Sequence, residues 1–399
     1  MSVTWHSVRL LRWLALVVAL VGLALISRPY ATGLAFVVRA ADMHGAVRRI
    51  ADLGARSVSD REISIPARTG AIRARLYLPG QSPRRLVLLV SGLHAAGIEE
   101  PRLATLAREL ASNNIAVVTP DIPELSHFDI TPAITEAIEQ AAGWLAVESG
   151  LAPDHRVGLM GISFSGGLSI VAAGRPSLAD RVTFVFAFGG HDDLPRVLRY
   201  LCTGTEATPR REIQLTDMRS EVTVRPPHDY GVAVILLGIT DRVVPPRQVE
   251  PLRAAIRRFL WASHLDRVDK PAADREFTAL RDLASRLPQP SATLLTYVNN
   301  RDVVHLGARL RPFVSSYGTD PALSPSRSPK PSAPVFLLHG TDDNVIPAIE
   351  SEYLANDLRG HAPVRLLVSG LISHAEADQP PRLGDVLKLA GFWGDLLSR

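Results

Sequence analysis

The chain has 399 residues, 46% of them hydrophobic, and a formal charge of +4 at neutral pH. Such a length holds one large α/β domain with an insertion, or two domains, and buries a sizeable core either way. The charge is small and dispersed, no Lys/Arg block or aromatic-interleaved basic patch accompanies it, and Cys202 is the single cysteine; nucleic acid as a partner, an internal disulfide and a cysteine-based zinc site are not expected.

The N-terminus is the compositional outlier. Every residue from Trp13 to Ile26 is apolar, with Arg9 and Arg12 before the segment and Arg28 and Pro29 after it. Counted from Val8, the stretch approaches the roughly 20 residues that span a bilayer. No clean small-x-small cleavage pattern precedes Arg28, so a retained membrane anchor is expected ahead of a cleaved signal or an interfacial helix. Basic residues on both flanks leave the orientation nearly unbiased, with the body leaning extracytoplasmic.

A helical connector runs through about Ala55, and residues 1–55 form the first unit. "REISIPARTGAIRARLYLPG" then reads as two alternating strands around a turn at Thr69 and Gly70. "RLVLLVSG", from Arg85 to Gly92, is continuously apolar, the pattern of a strand covered on both faces. Helical spacing in "PRLATLARELASNN", a buried strand from Ile115, a helix over Thr131 to Ser149, the strand "RVGLMG", a short helix to Ala173 and the strand "RVTFVFAFGG" continue the alternation. This pattern predicts an α/β fold, a mostly parallel central sheet flanked by helices, whose first part covers residues 56–190.

Between residues 191 and 333 the pattern loosens into an expected insertion, with helices at Pro251 to Trp261 and Glu276 to Leu287 and apolar runs "GVAVILLG" and "SATLLTYV", the latter read as a strand. Its end, "DPALSPSRSPKPSAP", reads as a Pro/Ser-rich tether with too little apolar content to pack. The sheet pattern resumes over residues 334–399 with "PVFLLHG", a helix from Ile349 to Leu358, "VRLLVSG" and a last helix from Leu383.

Within "GLMGISFSGG", Gly158 to Gly167, two serines stand where a strand hands over to a helix. A serine nucleophile on such a strained turn needs small residues two before and two or three after it. Gly161, Ser165 and Gly166 meet this requirement for Ser163, whereas Ser165 would have the bulky Leu168 three residues on. A turn using Gly and Ser for packing alone is the competing reading. A serine nucleophile also needs a base, itself oriented by a carboxylate. "LLHGTDDNVIP" offers Asp342 and Asp343, and "VSGLISHAEAD" offers His374 one helix and one strand later. "LLGITDRVVPP" sets Asp241 in the same G-x-x-D-x-x-x-P frame, and His264 and His305 are alternative bases. Chain context favours Asp343, because a helix, a strand and then a histidine follow it.

Through GISFSGG, HGTDDNVIP and ISHAE the sequence resembles the α/β-hydrolase superfamily, over roughly Asp60 to Gly190 and Pro334 to the C-terminus, with a cap inserted after the sixth strand. The resemblance implies Ser163 as nucleophile, Asp343 as acid and His374 as base. It implies an oxyanion hole from the Phe164 N–H and, on the loop Ser91-Gly92-Leu93-His94, the Leu93 N–H. His94 and His191, each just past a predicted strand, line the pocket or simply face water. The expected activity is cleavage of a carboxylic ester, from a small-molecule or lipid-like substrate, through an acyl-enzyme and with no metal or organic cofactor. A serine peptidase, or a catalytically inactive scaffold at the membrane, is the alternative. The insertion is expected to act as a lid near a membrane face.

Overall fold

The computed structural model describes residues 27–68, 70–206, 226–372 and 383–399. The apolar segment from Trp13 to Ile26 and the predicted base His374 lie outside the described residues. Among the described residues, no helix is long and apolar enough to cross a membrane.

Helix α1, residues 27–40, and α2, Ala46–Asp52, precede an eight-stranded sheet. Its strands are β1 (Val58–Ala67), β2 (Gly70–Pro79), β3 (Arg85–Val90), β4 (Ile115–Pro120), β5 (Val157–Ile162), β6 (Val182–Phe188), β7 (Val335–Gly340) and β8 (Val364–Ser369). They lie in the order β1-β2-β4-β3-β5-β6-β7-β8. β2 runs antiparallel to β1 and β4, and the remaining pairs are parallel. From β3 the chain moves outward to β4 and then returns to β5 on the other side. This reversal sets the loops after β3 and β5 side by side at the carboxyl edge, where open α/β sheets bind ligands.

The continuous apolar runs are explained by two cores. Leu86, Leu88, Val90, Leu159, Val185 and Leu337 face one side of the sheet, and Val87, Leu89, Met160, Phe184, Phe186, Phe336 and Leu338 face the other. Side chains alternate along a strand, so a strand covered on both faces has no polar phase. The first side carries α5 (Ala133–Val147) and α6 (Phe164–Ala173), and the second carries α3 (Pro101–Ser112) and the C-terminal helix. A short α4, Pro123–His127, follows β4.

The regular structure of the described part of the insertion between β6 and β7 is predominantly α-helical: α7 (Leu194–Thr203), α8 (Asp229–Gly238), α9 (Thr240–Val243), α10 (Pro246–Val268), α11 (Lys270–Arg286), α12 (Ser291–Asn299) and α13 (Val303–Val314). "SATLLTYV" is therefore helix α12 and not a strand, and "GVAVILLG" lies in α8. In α8 every residue from Gly231 to Leu237 is buried. A short run apolar on all sides carries no period by which helix and strand can be told apart.

The Pro/Ser-rich stretch also departs from expectation, since it packs. Leu323, Ser324 and Pro325 are buried. The Thr135 hydroxyl donates to the Ala322 carbonyl (2.7 Å), and the Leu194 N–H donates to Ser324 Oγ (2.9 Å). Few apolar side chains suffice here because the backbone carbonyls themselves are hydrogen-bonded into the body. After β7 come α14 (Ile349–Asp357), β8 and α15 (Leu383–Ser398).

Candidate active site

Ser163 sits between β5 and α6 with φ 55° and ψ −127°, in the half of backbone space that side-chain-bearing residues rarely enter. The turn is held from outside: the Ser163 N–H donates to the Phe188 carbonyl (2.6 Å) and the Gly166 N–H to the Ser163 carbonyl (2.8 Å). Its neighbours are small for a steric reason. A Cβ on Gly161 would collide with the Ser165 carbonyl, and one on Gly166 would press on Gly190 and Ala187 at 3.1 and 3.2 Å.

The two serines are separated by burial. Ser163 is partly exposed, whereas Ser165 is fully buried. Ser165 Oγ donates to the Ser91 carbonyl (2.7 Å) and accepts from the Ile162 N–H (3.1 Å), tying the elbow to the end of β3.

Asp343 lies on the loop after β7 and is buried, while its neighbour Asp342 is exposed. One carboxylate oxygen, Oδ1, accepts from the Val345 and Ile346 N–H groups (2.9 and 3.0 Å). Oδ2 faces Gly189, where a Cβ would stand 3.3 Å from it and 3.9 Å from Ser163 Cα. Gly189, with φ +63°, is thus the thin partition between acid and elbow. His339, fully buried on β7, braces the acid loop from below. The Ile346 carbonyl can only accept, so Nε2–H donates to it (2.8 Å), and Nδ1 is hydrogen-bonded with the Ser351 hydroxyl (2.6 Å). His339 Nε2 also lies 3.6 Å from Asp343 Oδ2. Sequence reasoning missed His339, whose signal was a lone histidine in an otherwise apolar strand.

The loop after β3 lies against the elbow, a Cβ on Gly92 being 3.3 Å from Ser163 Cβ. Phe164 is the first residue of α6, so its N–H is among those with no partner inside the helix. On the other side of the serine, the Leu93 carbonyl accepts from the Tyr230 hydroxyl (2.6 Å), and the His94 N–H donates to the Leu125 carbonyl (3.2 Å).

The remaining candidates fall elsewhere. His191 does not face water: it is fully buried, stacks on Phe164 (centroids 5.1 Å) and bonds the Leu323 carbonyl through Nε2 (2.8 Å), and burial lowers its pKa so that the ring stays neutral. Burial likewise depresses His94 to about 4, where it meets His264 of α10 edge-on at 5.0 Å. Asp241 is on the surface of α9, 3.6 Å from Arg253. His305 is exposed on α13 and paired with Asp302 (2.7 Å). Cys202 is buried, which pushes its thiol up to about 12 and leaves it inert. The described chain reaches Ile372, whose carbonyl lies against Gly340 at the foot of the acid loop, two residues before His374.

The strand order, the single reversed strand β2 and the strained serine after β5 together decide the architecture. This chain has the α/β-hydrolase fold. No protein-family model matches it, and no curated protein does. Among solved structures it is similar to an esterase from Pyrobaculum calidifontis (16% identity, TM-score 0.44, 93% of this chain and 91% of that one). It is also similar to the esterase LipW from Mycobacterium marinum (15%, 0.44, 86% and 81%), and to an acylaminoacyl peptidase (10%, 0.46, 86% and 42%). These likenesses are distant, so the chemistry of this α/β-hydrolase fold has to be read from its own residues.

Proposed function

We propose that the protein is a serine hydrolase that cleaves a carboxylic ester through an acyl-enzyme, with Ser163 as nucleophile, His374 as base and Asp343 as the orienting acid. The observation that carries this reading is the backbone of Ser163, φ 55° and ψ −127°. Such a conformation costs on the order of 1–3 kcal/mol and persists where the surroundings over-determine it. Here it lifts a partly exposed hydroxyl to the N-terminus of α6, with a buried carboxylate across Gly189. For His374 the support is reach. Two residues of chain extend at most about 7 Å beyond Ile372, which already touches Gly340.

His374 takes the hydroxyl proton as Ser163 Oγ attacks the ester carbonyl, and the negative charge on the carbonyl oxygen is met by the Phe164 and Leu93 N–H groups. Collapse expels the alcohol, which receives its proton from the imidazolium. Water then enters, gives a proton to His374 and attacks the acyl-enzyme; collapse releases the acid, and the imidazolium returns its proton to Ser163 Oγ, restoring both groups. These steps use no metal and no organic cofactor. Each oxyanion donor contributes about 3 to 4 kcal/mol to such a reaction.

The test is Ser163→Ala with short and long p-nitrophenyl esters, alongside labelling by a fluorophosphonate. The variant should lose about 10⁶ in kcat and all labelling. Undiminished turnover would refute the assignment, and an unlabelled, inactive wild type would point to the scaffold alternative. We also propose that residues 13–26 tether the hydrolase to a membrane. The full chain should then stay with membranes through an alkaline carbonate wash, and release into the supernatant would count against a spanning anchor.

A further inference from the structure

The first turn of α8 touches two loops of the candidate site at once. The His228 N–H donates to the Asn344 carbonyl, beside the acid (2.9 Å). Two residues on, the Tyr230 hydroxyl donates to the Leu93 carbonyl in the loop beside the serine (2.6 Å). The tyrosine ring is held edge-on by Phe128 (centroids 5.6 Å) and by His228 (6.3 Å). Burial pushes the phenol's pKa upward, so it stays a proton donor. The peptide unit joining Leu93 to His94 is therefore gripped at its oxygen by Tyr230 and at its nitrogen by the Leu125 carbonyl (3.2 Å). A peptide unit is planar, so one pinned at both ends leaves only the two dihedrals of Leu93 to orient the unit before it. The N–H of that preceding unit is Leu93's own.

We propose that Tyr230 is a positioning residue for the oxyanion hole: acting through the Leu93 carbonyl, the inserted cap fixes the peptide plane that aims the Leu93 N–H at the developing charge. This inference rests on the acyl-enzyme reading above and deepens it. Donors set in place before the reaction need no reorganisation when charge develops, which is the source of their effect. Without the phenol the Leu93 carbonyl loses its partner, and the unit, held only at the His94 N–H, can pivot about that one bond. The cap is on this view part of the reaction machinery, and it cannot swing away at α8 without releasing the loop that stabilises the intermediate.

Tyr230→Phe keeps the ring and its packing and removes only the donor. With p-nitrophenyl butyrate, kcat should fall about tenfold or more while KM stays within about twofold, because the lost interaction belongs to the transition state. The affinity of an alkyl trifluoromethyl ketone, whose adduct with the serine imitates the tetrahedral intermediate, should fall by the same factor. The ratio of that inhibition constant to KM does not depend on how much of the variant is folded, so a destabilised variant still reports. An unchanged ratio with kcat within about twofold of wild type, or a rise in KM alone, overturns the proposal. Ser163→Ala, measured in parallel, separates the two failures. If it is inactive while Tyr230→Phe is unimpaired, only the role of Tyr230 falls; if it retains full activity, the acyl-enzyme reading falls first.

Discussion

The hydroxyl of Ser165 bridges the end of β3 and the end of β5, donating to Ser91 and accepting from Ile162 in a site closed to solvent. Replacing it by alanine leaves a buried carbonyl and a buried N–H unpaired, at a cost of about 1–3 kcal/mol. Ser165→Ala should therefore shift the denaturation midpoint downward yet keep its fluorophosphonate label on Ser163. A variant that lost the label with its stability intact would show that the two serines have been assigned the wrong way round. Which positions must be small around Ser163 was legible in the sequence, because the steric rule for the elbow is local. The roles of His339 and Tyr230 were not. His339 is a lone polar residue in an apolar strand and Tyr230 follows the polar pair His228 and Asp229, and the partner of each lies on another element.

Elements pack where backbones can approach. Helices α1 and α15 cross at glycines: a Cβ on Gly33 would collide with the Ala390 carbonyl, one on Gly394 with the Pro29 carbonyl, and one on Gly391 would stand 2.8 Å from the Tyr30 ring. Phe36 and Trp393 pack with tilted rings beside the crossing (centroids 4.4 Å), with Phe36 fully buried. Gly33→Val should pry α1 off the body. The expected result is a lower melting temperature and early protease cleavage near α1, with kcat of the folded enzyme little changed, since the crossing belongs to the core on the sheet face away from α6. Protease resistance equal to wild type would show that α1 is held by something other than this close approach. Periodicity announced the helices and strands of the sheet layers, whose cores repeat along each element. It did not announce α12 or the packing of residues 320–334, where burial on every side, or hydrogen bonding through carbonyls, erases the pattern.

At the scale of the whole molecule, a buried ionic network joins the start of the insertion to α14. Glu350 accepts from the Asp192 and Asp193 N–H groups (3.0 and 3.2 Å). Arg196 bonds Glu350 (2.5 and 2.9 Å) and Asp192 (2.9 Å) while stacking over Tyr353 at 4.0 Å. One guanidinium serves two carboxylates, and burial, opposed by Arg196, raises Asp192 from its ordinary 3.8 to about 7. Between about pH 4 and 7 the unfolded chain has released this proton and the folded chain still holds it, so stability falls as pH rises through that window and levels off above it. Asp192→Asn removes the titration. The melting-temperature difference between wild type and this variant should shift against the wild type from pH 5 to pH 8. A pH-independent difference would mean that Asp192 stays ionised throughout.

The succession of strands and helices that build the sheet layers, and the strand-to-helix turn at Ser163 with its small neighbours, were legible in the sequence alone, because alternation, helical spacing and local steric room are properties of neighbouring residues. Only the tertiary structure set Asp343 across Gly189 from the elbow, moved Asp241 and His305 to the surface of the cap, and brought Tyr230 onto the loop beside Ser163. Those placements depend on which distant backbones can approach, and on which polar groups find partners once water is excluded; neither is written in any one stretch of chain.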